Sequence, residues 1–369
     1  MKTYQKIFLL SVLFIVFSFS SFAQCMNDVA CYMNDWRNES NAVIFLTIPN
    51  PSGGNSKTCT GTLVNNEARN GRPYIITACH CIDTDGQSGL SQAERNNTAN
   101  YIFSFRFRSS NCDGSQLDNQ WQTTGAVFRM AHQASDIALI ELNQQPPFDI
   151  NYMGWNVSAS LPANTTVIHH ENSQRQKISF SNNTTAFTGN HYQVNYHSGA
   201  TKGGSSGAAG FNATHQITGI LSFGINGCST IGQVLPDYYG RLSAAWLGGG
   251  TADTQLRAWL SPNQNLQSMS HLIPSLISGV EQLCAGSSTT YTLPNLIATM
   301  NATWTVSGNL TILSQNRSSV TVTPASSSSA GIGTITATVG GITSTKTIQV
   351  NLPVSNQGVT IRNTSNNTQ

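Results

Sequence analysis

The chain has 369 residues, of which 39% are hydrophobic and only 9% charged, with 18 Lys and Arg against 16 Asp and Glu and a formal net charge of +2. A balance this close to neutral, with no basic run, excludes nucleic acid as the expected partner. The length suits one large domain and one small one at roughly 100 to 200 residues per domain, and abundant Asn, Ser, Thr and Gly with little charge suit an extracellular all-β protein with many turns.

The first predicted element is a cleavable export signal over residues 1–23, where Lys2 and Lys6 precede the apolar run Ile7–Phe17 and small residues end at Ala23. That run is shorter than the ~20 apolar residues a bilayer crossing needs, so secretion to the extracellular space is expected, without stable membrane insertion. Strands are predicted for Ala42–Ile48, Tyr101–Phe107, Thr166–Ile168 and Ile217–Phe223, which are short and rich in β-branched and aromatic residues. Tyr74-Ile75-Ile76 reads as a buried strand running into Thr77-Ala78-Cys79-His80-Cys81, and Ile137–Leu142 as a strand leaving Asp136. A helix is predicted over Thr251–Leu260, just before Ser261-Pro262. The fold class is therefore all-β, and this part of the chain reads as two barrels.

Beyond about Leu276 the composition shifts. Alternating runs at Thr289–Leu293, Ala302–Val306, Ser319–Thr323 and Gly333–Val339, separated by turn residues, predict a small antiparallel β-sandwich with Trp304 as its core aromatic. After Pro353 the residues are mostly Asn, Ser, Thr and Gln, the composition of a linker or disordered tail.

The chemistry is carried by three segments. His80 ends the first buried run, Asp136 begins the second, and Ser206 sits inside Gly203-Gly204-Ser205-Ser206-Gly207. Alone, a histidine between two cysteines is usually packed, a serine among glycines usually makes a turn, and an aspartate before a strand usually caps it. Together they supply an imidazole, a carboxylate and a hydroxyl in the order His, Asp, Ser used by one type of serine protease. A serine hydroxyl is a poor nucleophile until a neutral imidazole takes its proton, and a carboxylate on the other ring nitrogen holds the working tautomer. Glycines around the serine let the backbone N–H groups of Gly204 and Ser206 face a developing oxyanion.

With these segments, and with Cys59–Asn66, Ile168–Asn172, Lys177–Ser179, Tyr239–Arg241 and Gly248–Gly250, the chain from about Cys25 to about Pro274 resembles the lysyl endopeptidases of bacteria, secreted serine proteases with the chymotrypsin fold. The resemblance implies a double β-barrel over residues 24–275, His80 as general base, Asp136 as its orienting carboxylate and Ser206 as nucleophile. It also implies the disulfides Cys25–Cys228, Cys31–Cys112 and Cys59–Cys81, leaving Cys79 and Cys284 free. Asp237 would stand at the base of the primary specificity pocket, with Ser222 in the position of a family histidine. Protein or peptide substrates cut after Lys, with Arg tolerated, are the expected partners, and neither cofactor nor metal is expected.

Residues 276–352 resemble the Ig-like or PKD-like modules of secreted bacterial enzymes, which act as spacers, adhesive units or sorting adaptors; surface or polymer binding is one expectation for such a module. The second functional reading is a catalytically inactive, protease-like secreted binding or adhesion protein, kept open by Ala208-Ala209 after the glycine-rich loop. A cysteine nucleophile at Cys79, or a metal held by Cys79, His80 and Cys81, is disfavoured because neighbours on an extended segment face opposite ways. His132, His169, His170, His191 and His197 are expected at strand ends and in loops, with no catalytic role. Ser205 is neutral where trypsin-like enzymes pair an aspartate with a new N-terminus, so competence is expected once the signal is removed and the disulfides close.

Overall fold

The computed structural model describes residues 26–50, 53–87, 89–147, 150–224, 236–272, 277–294, 296, 300–339 and 342–352. The signal segment, the Cys25–Cys228 pairing and the tail after Pro353 lie outside the described residues.

A seven-stranded antiparallel sheet forms the first half of the protein, in the spatial order Trp121–Thr124, Ile102–Phe105, Val43–Ile48, Lys57–Val64, Tyr74–Ala78, Ile137–Leu142, Ala126–His132. Its interior strand Tyr74–Ala78 is buried at all five positions, which explains why Tyr74-Ile75-Ile76 is a continuous apolar run and not an alternating one. Six strands of the second half close into a barrel: Ala209–Phe211, Thr165–His169, Lys177–Ala186, His191–Ser198, Asp237–Arg241 and Ile217–Gly224. Closure comes from the short strand Ala209–Phe211, which pairs with Thr165–His169 through Phe211 opposite Thr166 and with Ile217–Gly224 through Ala209 opposite Ile220.

One core serves both halves. Ile75, Ile76 and Leu139 of the first sheet and Phe211, Ile217 and Ile220 of the second belong to a single buried cluster. The interior of the closed barrel holds a smaller one around Val167, Tyr192, Val194 and Tyr239. The fold is the double β-barrel that the strand pattern predicts.

The last part of the chain is a β-sandwich. Gln282–Leu283, Ile342–Val350, Gly331–Val339 and Thr303–Val306 form one sheet, and Thr289–Thr292, Ser319–Pro324 and Leu310–Gln315 the other. Trp304, 3% exposed, sits in their shared core with Tyr291, Val322, Ile335 and Ile348.

Local departures from expectation have local causes. The helix predicted over Thr251–Leu260 is confined to Arg257–Leu260. Thr254 N–H bonds Thr251 O instead, and Thr251 Oγ1 donates to Asp253 Oδ1 at 2.7 Å, so short polar side chains hold the preceding residues in a turn. Cys79–Ile82 is one helical turn, not an extended segment. Helices at Met33–Ala42 and Gln92–Asn97 were not legible as apolar stripes.

Candidate active site

The turn Cys79–Ile82 follows the buried strand Tyr74–Ala78 and puts His80 just past the end of that strand. Two bonds fix that turn: Cys59–Cys81 ties it to the neighbouring strand Lys57–Val64, and Lys57 Nζ donates to His80 O at 2.6 Å. Asp136 follows a short 3-10 turn at Gln133–Ser135 and adopts a left-handed conformation, φ 52°. This unusual backbone lets its carboxylate face back over the turn. Asp136 Oδ2 lies 2.6 Å from His80 Nδ1, Asp136 Oδ1 accepts from His80 N–H at 2.7 Å, and Asp136 O accepts from Cys79 N–H at 3.0 Å. A carboxylate only accepts, so Nδ1 carries a proton, and in the neutral ring Nε2 is then the nitrogen with the lone pair.

Ser222 enters from the closed barrel, and its Oγ donates to Asp136 Oδ2 at 2.6 Å. The residue expected as a pocket wall thus lines the pocket but commits its hydroxyl to the carboxylate behind His80. Gly240 lets the two halves meet at this point, since a Cβ there would overlap Ser135 O.

Ser206 lies on the loop joining His191–Ser198 to Ala209–Phe211. Its carbonyl accepts from Thr60 N–H at 2.8 Å, binding this loop of the second half to the strand beside His80. Gly207 has φ +85°, and a Cβ there would collide with Thr77 Oγ1 and Thr60 O, so only glycine permits the approach. On either side of Ser206, Ser205 N–H donates to Lys202 O and Gly207 N–H to Leu221 O, which engages those two amides inside the protein. Gly204 has φ +94°.

Ser206, Ser222, Leu221, Gly224 and Asp237 line one pocket of about 240 Å³. Asp237 is 3% exposed and begins the strand Asp237–Arg241; Thr201 Oγ1 donates to its Oδ2 at 2.5 Å. Burial pushes the Asp237 carboxyl up to about 6, against the pull of hydrogen bonds from Thr201 and Tyr196. Gly224 has no room for a side chain, because a Cβ would overlap Asp237 Oδ1.

Cys79 is buried and its thiol is pushed up to about 12, by burial first and then by Asp136, Asp83 and Glu94, which makes it inert as a nucleophile. The sulfurs of Cys59 and Cys81 lie near the His80 ring, but they are joined to each other and offer no thiolate. Asp83, Asp85 and Glu94 also cluster; Glu94 spends its carboxylate on Thr84 N–H and Ser91 N–H, closing the cap of Gln92–Asn97. His132, His169 and His191 stand at strand ends, and His170 follows one. Cys31–Cys112 anchors the turn Val29–Tyr32 away from this centre. Thr60 and Lys57 were missed by sequence reasoning; their only signal is membership of the segment around Cys59. Among the described residues, no helix is long and apolar enough to cross a membrane.

The chain is similar to known proteins. The lysyl endopeptidase of Pseudomonas aeruginosa (strain PAO1) is 27% identical over 251 residues, covering 62% of this chain and 51% of that protein, so the chain spans about half the length of this curated relative. The crystal structure of the Rv3671c protease from M. tuberculosis, active form, aligns with 65% of this chain and 90% of its own, at 11% identity and a TM-score of 0.39. The family model described as lysyl endopeptidase, C-terminal domain, matches residues 19–240. Because that match takes in more than half of the 369 residues, the chain belongs to the lysyl endopeptidase C-terminal domain family.

Proposed function

We propose that the protein is a secreted serine endopeptidase that hydrolyses peptide bonds after Lys, and accepts Arg, through His80, Asp136 and Ser206. The observation that carries this reading is the 2.6 Å contact between His80 Nδ1 and the Asp136 carboxylate beside a pocket lined by both Ser206 and Asp237. In the proposed cycle His80 Nε2 takes the Ser206 proton as Oγ attacks the scissile carbonyl, and the resulting oxyanion is received by the N–H groups of Gly204 and Ser206. Collapse of the tetrahedral species gives an acyl-Ser206 and passes the proton to the leaving amine. Water repeats the sequence in reverse to release the acid. Asp136 stays ionised throughout and stabilises the imidazolium, supported by the Ser222 hydroxyl.

Specificity rests on Asp237. A nine-tenths buried carboxylate is costly to hold ionised without a partner, and a Lys or Arg side chain in the pocket supplies one. The described lining residues include neither histidine nor tryptophan, which favours room for a guanidinium as well as an ammonium. The inactive, binding-only reading gains no support from Ala208-Ala209. Both are buried, and Ala208 takes part in regular pairing, with its N–H on Ser205 O and its carbonyl on Leu221 N–H.

A fluorophosphonate probe and a peptide library test the proposal. Labelling of the wild type but not of Ser206→Ala, together with cuts after Lys and Arg, is expected. An unlabelled wild type would favour the binding protein, and library cuts after aromatic or acidic residues would remove Asp237 from the pocket.

A further inference from the structure

The loop that carries Ser206 is held at three consecutive residues by the segment that ends the strand Thr165–His169. Gly203 O accepts from Asn172 N–H at 2.7 Å. Gly204 O accepts from Thr60 Oγ1 at 3.0 Å, and Thr60 Oγ1 in turn accepts from His170 N–H at 3.0 Å. Ser205 Oγ lies 2.8 Å from His169 Nδ1. The first is a backbone anchor that many sequences could provide, and the second needs only a hydroxyl at Thr60. The third joins two side chains with no exposed surface, directly between the two amides proposed to receive the oxyanion.

The directions of these bonds are determined. Ser179 Oγ donates its one proton to Ala200 O at 2.9 Å, so at 3.3 Å it accepts from His169 Nε2–H. In the neutral ring Nδ1 is then the acceptor, and the Ser205 hydroxyl donates to it at 2.8 Å while Ser205 Oγ accepts from Lys202 N–H at 3.2 Å. Burial first, then His170 and Lys177, lower His169 to about 3, which keeps the ring neutral and its Nδ1 lone pair available. Each polar atom in the chain from Lys202 to Ala200 has a partner. Turning Ser205 away would strand a buried ring nitrogen without a partner.

We propose that His169 is a positioning residue: by accepting the Ser205 hydroxyl proton it holds the Gly204-Ser205-Ser206 loop in the shape that presents two N–H groups to the oxyanion. The proposal rests on the serine endopeptidase reading above. It gives a neutral pair, Ser205 and His169, the task of fixing this loop without any ionised group.

The test uses the full-length, disulfide-bonded protein and a Lys-containing peptide substrate. Ser205→Ala and His169→Leu each break the contact and are expected to lower kcat by about 10- to 100-fold with KM unchanged, as for loss of an interaction made only in the transition state. The double variant is expected to be no worse than either single one, because both remove the same contact. His169→Asn, whose amide oxygen can replace Nδ1 as acceptor, is expected to recover activity to within about fivefold of the wild type, where a merely structural role would penalise Asn and Leu alike. If His169→Leu does not fold, Ser205→Ala and His169→Asn decide between them. A fluorophosphonate-reactive wild type with Ser205→Ala at full kcat, or with additive losses in the double variant, overturns the positioning role alone. A wild type that neither labels nor cleaves overturns the reading of the site and this inference with it.

Discussion

Asp237 combines a functional demand with a cost to the fold. Its carboxyl rises from 3.8 in a model peptide to about 6 in the folded protein. Folding therefore makes ionisation harder: between pH 3.8 and about 6 the native state keeps a proton that the unfolded chain has lost, so stability falls as pH rises through this window. Above it the accumulated loss is about 3 kcal/mol, an order-of-magnitude figure. Asn at this position keeps an acceptor for Thr201 and carries no charge. We expect Asp237→Asn to raise the melting temperature by several degrees at pH 8 and to leave it unchanged at pH 3. The same variant should cut kcat/KM for Lys substrates while sparing fluorophosphonate labelling of Ser206. Binding of a small cationic inhibitor should weaken in the wild type as pH drops below about 6 and show no such step in the variant. A variant that is less stable at pH 8, or an inhibitor profile flat with pH in both proteins, would contradict this account.

At the level of elements, the candidate active site hangs on short pieces whose own propensities say little. The strand leading to His80 was legible because Tyr74–Ala78 is buried at every position and opens with the apolar run Tyr74-Ile75-Ile76. The turn Cys79–Ile82 was not, since four residues contain no period to count and the turn is imposed by Cys59–Cys81 and by the Asp136 contacts. Met33–Ala42 escaped for another reason: it buries Glu39, Ser40 and Ala42, with Glu39 on His215 and Ser40 on Gln176, so its inward face is polar. Gln92–Asn97 did carry a signal, the Ser91 and Glu94 capping pair, which a search for apolar stripes passes over. The glycine loop stood out in sequence as candidate chemistry, whereas the bond from Ser222 to Asp136 was not legible, because sequence position cannot say which way a hydroxyl points.

The Cys59–Cys81 bond gives this scale its own prediction. It closes a separation of 22 residues, worth about 3 kcal/mol in restricted unfolded-state entropy. It also pins the residue next to His80. We expect Cys59→Ser with Cys81→Ser to lose about that stability in urea unfolding, and kcat to fall by about tenfold at temperatures where the protein remains folded, because a small displacement of His80 is enough to misalign it. Loss of stability with unchanged kcat would show that the Asp136 contacts alone position the ring.

At the scale of the whole molecule, the candidate active site is a seam between two halves that share one core, and the C-terminal sandwich has a core of its own. Ser268–Met269 pairs with Trp155–Asn156, and Leu272 with Tyr152, so the chain still belongs to the barrels at residue 272. From Ile277 onward the buried residues join the cluster around Trp304, and Met300 is the one described side chain packed against both cores. Every described contact that positions His80, Asp136, Ser206 and Asp237 comes from residues before that change. We propose a boundary near residue 275, with the first unit self-sufficient in packing and holding all of the candidate site. We therefore expect residues 24–275, expressed for export so that their disulfides form, to fold and to cleave Lys peptides with kcat/KM within about threefold of the full chain, since contacts made by a separate core contribute little to the site. Residues 276–352 should fold alone as a β-rich unit without activity, and their removal should change retention on cell surfaces or polymers and not turnover. If the 24–275 fragment were insoluble or inactive while the full chain cleaved, the sandwich would have to be counted as part of the enzyme's folding unit, and the division at residue 275 would be wrong.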